Sequence, residues 1–561
     1  MNSVLEMVKN QIVLAVRKAV EKAKAAGELN YETIPDFILE VPREKEHGDF
    51  ATNIAMLMAR QAKMAPRHVA EILQTYITTE GTWVARMEVA GPGFINFYLN
   101  SGWVHDVLPQ IESQGQEYGN SSTGRGQKVQ VEFVSANPTG LLHMGNARGA
   151  ALGDTMANLL QAAGFDVTRE FYINDTGNQI ENFGKSLEAR YLQLLGQDVP
   201  FPEEGYHGQD IIDTMKGLMQ RDGNRYLVME SRERRENFIK YALAEKITAI
   251  RNTLREFGVK YDVWFNEKLL HESGAVSAVL DELRDKGYIY ENEGALWLKT
   301  TAFGDEKDEV VVRGNGTPTY FAADIAYHKN KFDRGFAWVI NIWGADHHGH
   351  VKRLKGAMQA LGHESGKLDI VIMQLVRLFR GGEIIRMSKR SGEFITLEDL
   401  MGEVGRDAAR YFFVMRSADS HLDFDMDLAK SQSADNPVYY IQYAHARICS
   451  IFRQFGEKSG SLPAAAECDL SLLNAPAELE LIRKLVDFPA EISVAAVNLE
   501  PHRMARYAHE LAGLFHSFYN SHRVMADDPE LQKARLVLVK CTQTVVHRVL
   551  RLLGLTAPET M

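Results

Sequence analysis

The chain has 561 residues, 45% of them hydrophobic and 24% charged, with a formal net charge of −11. That length calls for several domains, because single cores rarely grow past ~250–300 residues, and the acidic balance argues against a protein that coats nucleic acid over its whole surface. No apolar run approaches the ~18–20 residues of a membrane span. Three cysteines without a CxxC pair exclude a disulfide framework or a cysteine zinc site and point to the reducing cytoplasm.

In chain order, residues 1–27 place apolar side chains at helical spacing with Glu6 and Glu21 among lysines. They lack a secretory h-region, and the acids speak against a transit peptide. Residues 1–115 are expected to form a compact α+β module ending in the strand-like GPGFINFYL, and the Gly/Ser-rich stretch 115–127 reads as a linker.

The most telling segment follows, VQVEFVSANPTGLLHMGNARG at 129–149. Apolar alternation at Val129, Val131 and Phe133 breaks at Asn137-Pro138-Thr139-Gly140, and a helical stripe begins near His143 (Ala147, Ala151, Leu152, Met156, Leu159, Leu160) and stops at Gly164. A strand, a tight turn and a helix with polar side chains at its open end suit phosphate oxygens: the first N–H groups of the helix have no partner within it, and its dipole favours negative charge. Gly140 and Gly145 allow close approach to the backbone, and His143 can donate to a phosphate. The next strand, DVTREFYI, leads into Asn174-Asp175, so the unit is βαβ and implies a parallel sheet with ligands at the strand ends.

Residues 196–235 are polar and glycine-rich and read as an insertion. Alternation returns at ALWLKT, VVVR, AWVINIW (ending before Gly344) and LDIVIMQLVRL. The layout fits a doubly wound α/β, Rossmann-like domain over 128–398. After the Gly381-Gly382 turn comes Arg386-Met387-Ser388-Lys389-Arg390-Ser391-Gly392, clustered cations on a loop that suit a clamp over a developing pyrophosphate charge. From 404 to 561 the pattern is all-α, with long amphipathic stretches at 438–455 and 534–555. Lys and Arg equal Asp and Glu over 438–561, 13 of each, so the acidic excess lies upstream.

These segments together resemble the class I aminoacyl-tRNA synthetases, whose HIGH and KMSKS signatures match His143-Met144-Gly145-Asn146 and Arg386-Met387-Ser388-Lys389-Arg390. The wider context is similar to the arginyl-tRNA synthetases of bacterial type: VEFVSANPTGLLHMGNARGAALGD, YINDTGNQI, YFAADIAYH, WGADHHGHV and MSKRSGEFITL, with HGDFATNIA, GPGFIN and NPVYYIQYAHAR outside the sheet domain. Asn146 stands where the family usually has a second histidine, and arginines replace the first lysine and final serine of the loop signature.

The resemblance implies an arginine–tRNA ligase that forms arginyl-adenylate from ATP with Mg²⁺, with no zinc. It implies that tRNA(Arg) is needed for the first step, and it implies a monomer without an editing domain. It assigns catalysis to His143, Asn146 and Lys389. ATP would lie along Ala136, Asn137, Pro138, Thr139, Gly140, Leu141, Leu142, His143, Met144, Gly145 and Asn146, with Gly344, Asp346 and His350 at a strand end and Met387, Ser388 and Lys389 on the loop. Arginine would meet Glu132, Ser135, Asn137, Tyr320 and Asp324, since carboxylates match a guanidinium in a two-pronged geometry. Tyr440, Tyr443 and Arg447 would read tRNA in a helical anticodon-binding domain over 404–561, and the 1–115 module would touch the tRNA outer corner.

Two other readings remain open from the residues. Asp346-His347-His348-Gly349-His350 also resembles the DHH phosphoesterases, which hold metal ions on such a segment, although no second acidic cluster with two-metal spacing accompanies it. The third reading is a non-catalytic synthetase relative that only binds RNA.

Overall fold

The computed structural model describes residues 4–42, 44–385, 395–459 and 461–561. Its centre is a five-stranded, all-parallel sheet in the order Leu368–Met373, Trp338–Gly344, Lys128–Glu132, Asp166–Ile173, Val263–Asn266. The chain runs outward from the central Lys128–Glu132 strand to one edge, then crosses to the other side at Trp338. The strand order therefore reverses between Lys128–Glu132 and Trp338–Gly344. In a doubly wound sheet the crevice at such a reversal, beyond the carboxyl ends of the strands, is where ligands bind.

The Met144–Ala162 helix packs across the central strand. His143 caps it: the His143 ring accepts from the Gly145 N–H at 3.2 Å, and the Asn146 side-chain carbonyl accepts from the His143 N–H at 3.1 Å, satisfying two otherwise orphaned donors. Small residues on its inner face let it lie close to the strand, and a methyl group added at Gly153 would overlap the Phe133 ring.

Two strands expected in the main sheet lie elsewhere. Ala295–Leu298 and Glu309–Val312 join Ile289–Asn292 in a separate antiparallel sheet, because Glu293 and Gly294 turn with positive φ (51° and 75°) and fold the short strands back on one another. LDIVIMQLVRL divides at Gln374: its first half closes the parallel sheet, and Val376–Arg380 joins a second small sheet with Glu383–Ile384 and Leu422–Asp425.

The 196–235 stretch belongs to a longer helical unit between two sheet strands. It comprises Gly177–Leu194, Gln209–Asp222 and Ser231–Glu256 and has an apolar cluster of its own around Phe183, Tyr191, Met215 and Phe238. The 115–127 stretch is packed rather than a free linker. Tyr118 is buried and donates to the Leu485 carbonyl at 2.8 Å, and the Gly124 and Gly126 N–H groups bond to the Ala163 and Gly164 carbonyls. Four long helices, Pro437–Ser459, Pro476–Val497, His502–Ser521 and Pro529–Leu552, complete the chain. One apolar core runs from Val8 in the first helix through Val131 of the sheet to Val546 in the last.

Candidate active site

Directly after the central strand the backbone takes two left-handed residues, Val134 (φ 70°) and Ser135 (φ 38°). A β-branched residue there is costly, and such strain collects at functional sites. The kink turns the Ser135 hydroxyl back to donate to Glu132 at 2.8 Å and to accept from the Tyr172 N–H at 3.1 Å. The chain then crosses the strand ends to His143, anchored by buried Pro138, Leu142 and Met144, while Asn137 and Leu141 are exposed. Because His143 Nδ1 accepts from Gly145, a neutral ring carries its proton on Nε2, the nitrogen that can donate onward. Asn146 spends its carbonyl on the cap, which leaves its amide N–H groups as the donating end.

The basic loop itself, with Arg386, Met387, Ser388, Lys389 and Arg390, lies outside the described residues. The segment that follows it is fixed beside His143. Thr396 forms an antiparallel bridge with His143, and the Leu397 N–H donates to the Leu142 carbonyl at 2.9 Å. On the other flank, Arg148 of the His143 helix is fully buried. It donates to the carbonyls of Gln374 (2.7 Å), Ser417 (2.9 Å) and Ser420 (3.0 Å), tying that helix to the root of the small sheet. Burial pushes its guanidinium down to about 10.

Acids gather on the opposite side of the strand ends. Asp324 sits in the Tyr320–Asp333 helix, with Tyr320 half exposed one turn earlier and its hydroxyl beside Gly177. His350 Nε2 lies 2.9 Å from the Asp324 carboxylate, so His350, expected on the nucleotide, is engaged with the acid. Glu267, which the sequence reading missed, is buried at the end of the edge strand. The Tyr172 hydroxyl is held well above the usual tyrosine range by burial and by the nearby charges of Glu267, Asp324 and Glu132, with a hydrogen bond to Glu267. Asn137 donates to Gln179 at 2.8 Å, which brings the start of the helical insertion to the same rim.

Glu132 is already matched inside the protein. Lys331, wholly buried, donates to it at 2.5 Å and to Asn341 at 2.8 Å. Asn341 in turn contacts His328 Nε2 at 2.6 Å, and His328 Nδ1 lies 2.7 Å from the Asp324 carbonyl. Burial, with Lys331 nearby, holds His328 well below its usual value, so the ring is neutral and relays a fixed orientation from Glu132 to the Asp324 helix.

Beyond the neighbouring strand, Gly344 ends Trp338–Gly344, and Asp346 lies exposed in the following turn, 3.6 Å from His347. The group of side chains able to hold a metal among the described residues is Glu44, Glu46 and His47, in the N-terminal module rather than in this turn.

In the C-terminal helices Arg447 donates to the Tyr443 hydroxyl at 2.9 Å and lies over the Tyr443 and Tyr519 rings at 4.5 and 4.8 Å. Tyr440 packs on His516 with ring centroids 4.6 Å apart. Tyr519 and His516 come from a different helix, which is why spacing within Pro437–Ser459 did not reveal them. Among the described residues no helix is long and apolar enough to cross a membrane.

Residues 107–425 match the family described as tRNA synthetases class I (R), catalytic domain; 10–99 match the arginyl tRNA synthetase N terminal domain, and 441–561 the DALR anticodon binding domain. A parallel sheet with a histidine-capped helix at its reversal point, together with the catalytic-domain match, marks a class I aminoacyl-tRNA synthetase. Arginine–tRNA ligases of Heliobacterium modesticaldum and Desulforamulus reducens are 64% and 63% identical, over 99% and 100% of this chain and all of theirs. An arginyl-tRNA synthetase structure from Campylobacter jejuni, described as putative, is 34% identical over 82% of this chain and 100% of its own, with a TM-score of 0.76. The Thermus thermophilus arginyl-tRNA synthetase shares the fold at 21% identity, covering 98% of this chain and 100% of its own, with a TM-score of 0.74. The chain belongs to the arginyl-tRNA synthetase family.

Proposed function

We propose that the two sides of the strand-end crevice divide the work of an arginine–tRNA ligase between a phosphate-binding junction and an acidic pocket. Ligation of arginine to tRNA with ATP as a substrate is the activity of the family. An oxygen of the arginine carboxylate attacks the α-phosphorus of ATP, the bond to the β-phosphate breaks, and pyrophosphate leaves. The 2′-hydroxyl of the terminal adenosine then attacks the arginyl carbonyl carbon, losing its proton as AMP departs.

The His143 Nε2–H and the Asn146 amide donate to the phosphates at the helix N-terminus, and Lys389 adds positive charge from the loop as the pyrophosphate charge grows. Mg²⁺ enters with ATP as part of the substrate, and zinc has no part in this reading. Asp324 and Glu267 face the guanidinium, with Tyr320 over its stem. Asn137 and Ser135 hold the amino-acid end, and Glu132, neutralised by Lys331, fixes Ser135. Asp346 accepts from the ribose. Tyr440, Tyr443 and Arg447 contact tRNA bases by stacking and charge. The enzyme works as a cytoplasmic monomer, and tRNA must bind before the adenylate forms.

The observation that supports this reading is the pairing of Thr396 with His143, which holds the segment following the basic loop beside the proposed phosphate site. ATP–pyrophosphate exchange with each amino acid, with and without tRNA, tests it. Exchange with arginine in the presence of tRNA is expected; exchange with another amino acid and none with arginine would overturn it, as would tight tRNA binding with no charging at all.

A further inference from the structure

Away from the crevice, one buried arginine joins three parts of the molecule. Arg410, in the Arg406–Val414 helix, is fully buried. It donates to the Asp154 carboxylate at 2.6 Å, to the Phe257 carbonyl at 3.0 Å and to the Leu553 carbonyl at 3.1 Å. Asp154 lies on the His143 helix. Phe257 caps the last helix of the insertion, and Leu553 caps Pro529–Leu552, the final helix of the region matching anticodon-binding domains. Two helix C-termini thus point their negative ends at one cation that is also paired with the His143 helix.

The neighbourhood is built for this guanidinium. Gly554 takes φ +71°, and a methyl group there would overlap Arg410. Asn158, one turn beyond Asp154, donates to the Leu552 carbonyl at 3.1 Å and accepts from Arg169 at 2.7 Å. Beside the node opens a cleft of about 380 Å³ lined by Asp154, Asn158, Arg169, Lys260, Asp262 and Arg551 among others. The three parts share the apolar core, which is non-directional; the hydrogen bonds of Arg410 add the directional contacts that set the angle at which the helices meet.

We propose that Arg410 is a positioning residue for ligation. It fixes the angle between the anticodon-binding helices and the His143 helix, so that a tRNA gripped at one end presents its other end to the adenylate. The 24-residue Pro529–Leu552 helix is roughly 36 Å long at ~1.5 Å per residue. A play of about 5° at its Leu552 end moves the far end by about 3 Å over that length, and a misplacement of ~1 Å at the reacting atoms can cost on the order of 10²-fold in rate. Contacts made at the anticodon therefore reach the rate of charging only through a stiff joint.

The proposal rests on the ligase reading, and charging by the wild-type chain is the control that separates the two. The test uses the full chain, R410K, D154N and G554A, and two tRNA transcripts, one with its native anticodon and one with a substituted anticodon. In R410K a point charge keeps the Asp154 pair but lacks the planar fork for both carbonyls, whereas G554A displaces an intact Arg410. In R410K and G554A, kcat is expected to fall about tenfold or more, with KM for tRNA, ATP and arginine within about twofold. The ratio of saturated charging rates for the two transcripts, which is unaffected by any inactive fraction, is expected to move toward unity. If R410K does not melt cooperatively above the assay temperature, G554A and D154N decide on the same ratio. A wild-type ratio in the folded variants, whatever their specific activity, would reduce Arg410 to a support of the fold and overturn the proposal. A wild-type chain that charges no tRNA would overturn the ligase reading, and this proposal with it.

Discussion

Asp324 and Glu132 are both acids beside the pocket, yet their surroundings give them different consequences on removal. Asp324 is a third exposed, with His350 as its side-chain partner, so D324N is expected to raise KM for arginine on the order of 10²-fold with KM for ATP little changed, as read by exchange kinetics. Removing Lys331 instead strands the Glu132 charge in the core. K331M is expected to cost about 3–5 kcal/mol of stability, seen as a lowered midpoint in urea unfolding. Asp324 came from the resemblance of YFAADIAYH to the family's segments, and its spacing from Tyr320 placed the two on one face of a helix, the Tyr320–Asp333 helix of the fold. Lys331 and Glu267 were not legible, because Lys331 pairs with Glu132 across 199 positions and Glu267 joins the pocket only once the edge strand is in register.

His516 gives a pH dependence. Its Nδ1 faces Arg447 at 3.3 Å and its Nε2 faces the Tyr440 carbonyl at 3.3 Å. Burial, with Arg447 adding to it against the pull of the Tyr440 carbonyl, holds the ring below its usual value near 6.5. Below pH 6.5 the unfolded chain therefore takes up a proton that the folded chain refuses. The stabilisation is complete above pH 6.5 and is lost as pH falls toward and through the folded value. Denaturation midpoints measured from pH 7.5 to 5.5 are expected to fall less steeply in H516Q than in the wild type, the difference between the two isolating this ring from the other histidines.

At the scale of elements, the His143 helix carries both the capped end proposed to bind phosphate and the two buried arginine anchorages, at Arg148 and Asp154. Its height above the central strand is set by Gly153 against Phe133. G153A is expected to lift the helix, destabilise the protein by about 1–3 kcal/mol and raise KM for ATP, measured by thermal melting and exchange kinetics. The strand, turn and helix were legible from the switch of apolar period at Asn137. The left-handed Val134 and Ser135 were not, because neither residue type favours that region and only the surrounding structure imposes it. The two short antiparallel strands near 295 and 310 deceived for a related reason: alternation reports a half-buried strand but does not name the sheet it joins.

For the whole molecule, the long helices after 404 were evident from periodicity, whereas the mutual packing of remote segments was not. Tyr118 against Leu485, and Glu112 with Lys540 at 2.6 Å, join stretches whose sequences carry no mark of one another. The insertion built on Phe183, Tyr191 and Met215, with its separate apolar cluster, is expected to open on its own. In hydrogen exchange under mild denaturant, amides of 177–242 should lose protection before those of the sheet, and simultaneous loss throughout would count against this.

The continuous core from Val8 to Val546 has the opposite consequence for anyone dividing the chain. Severing it between the catalytic match ending at 425 and the anticodon match starting at 441 cuts at a seam of ancestry, not at a seam of cohesion. Each fragment would carry a large oily scar where the other had been, so the halves should be recoverable as active protein when produced together and should precipitate when produced apart.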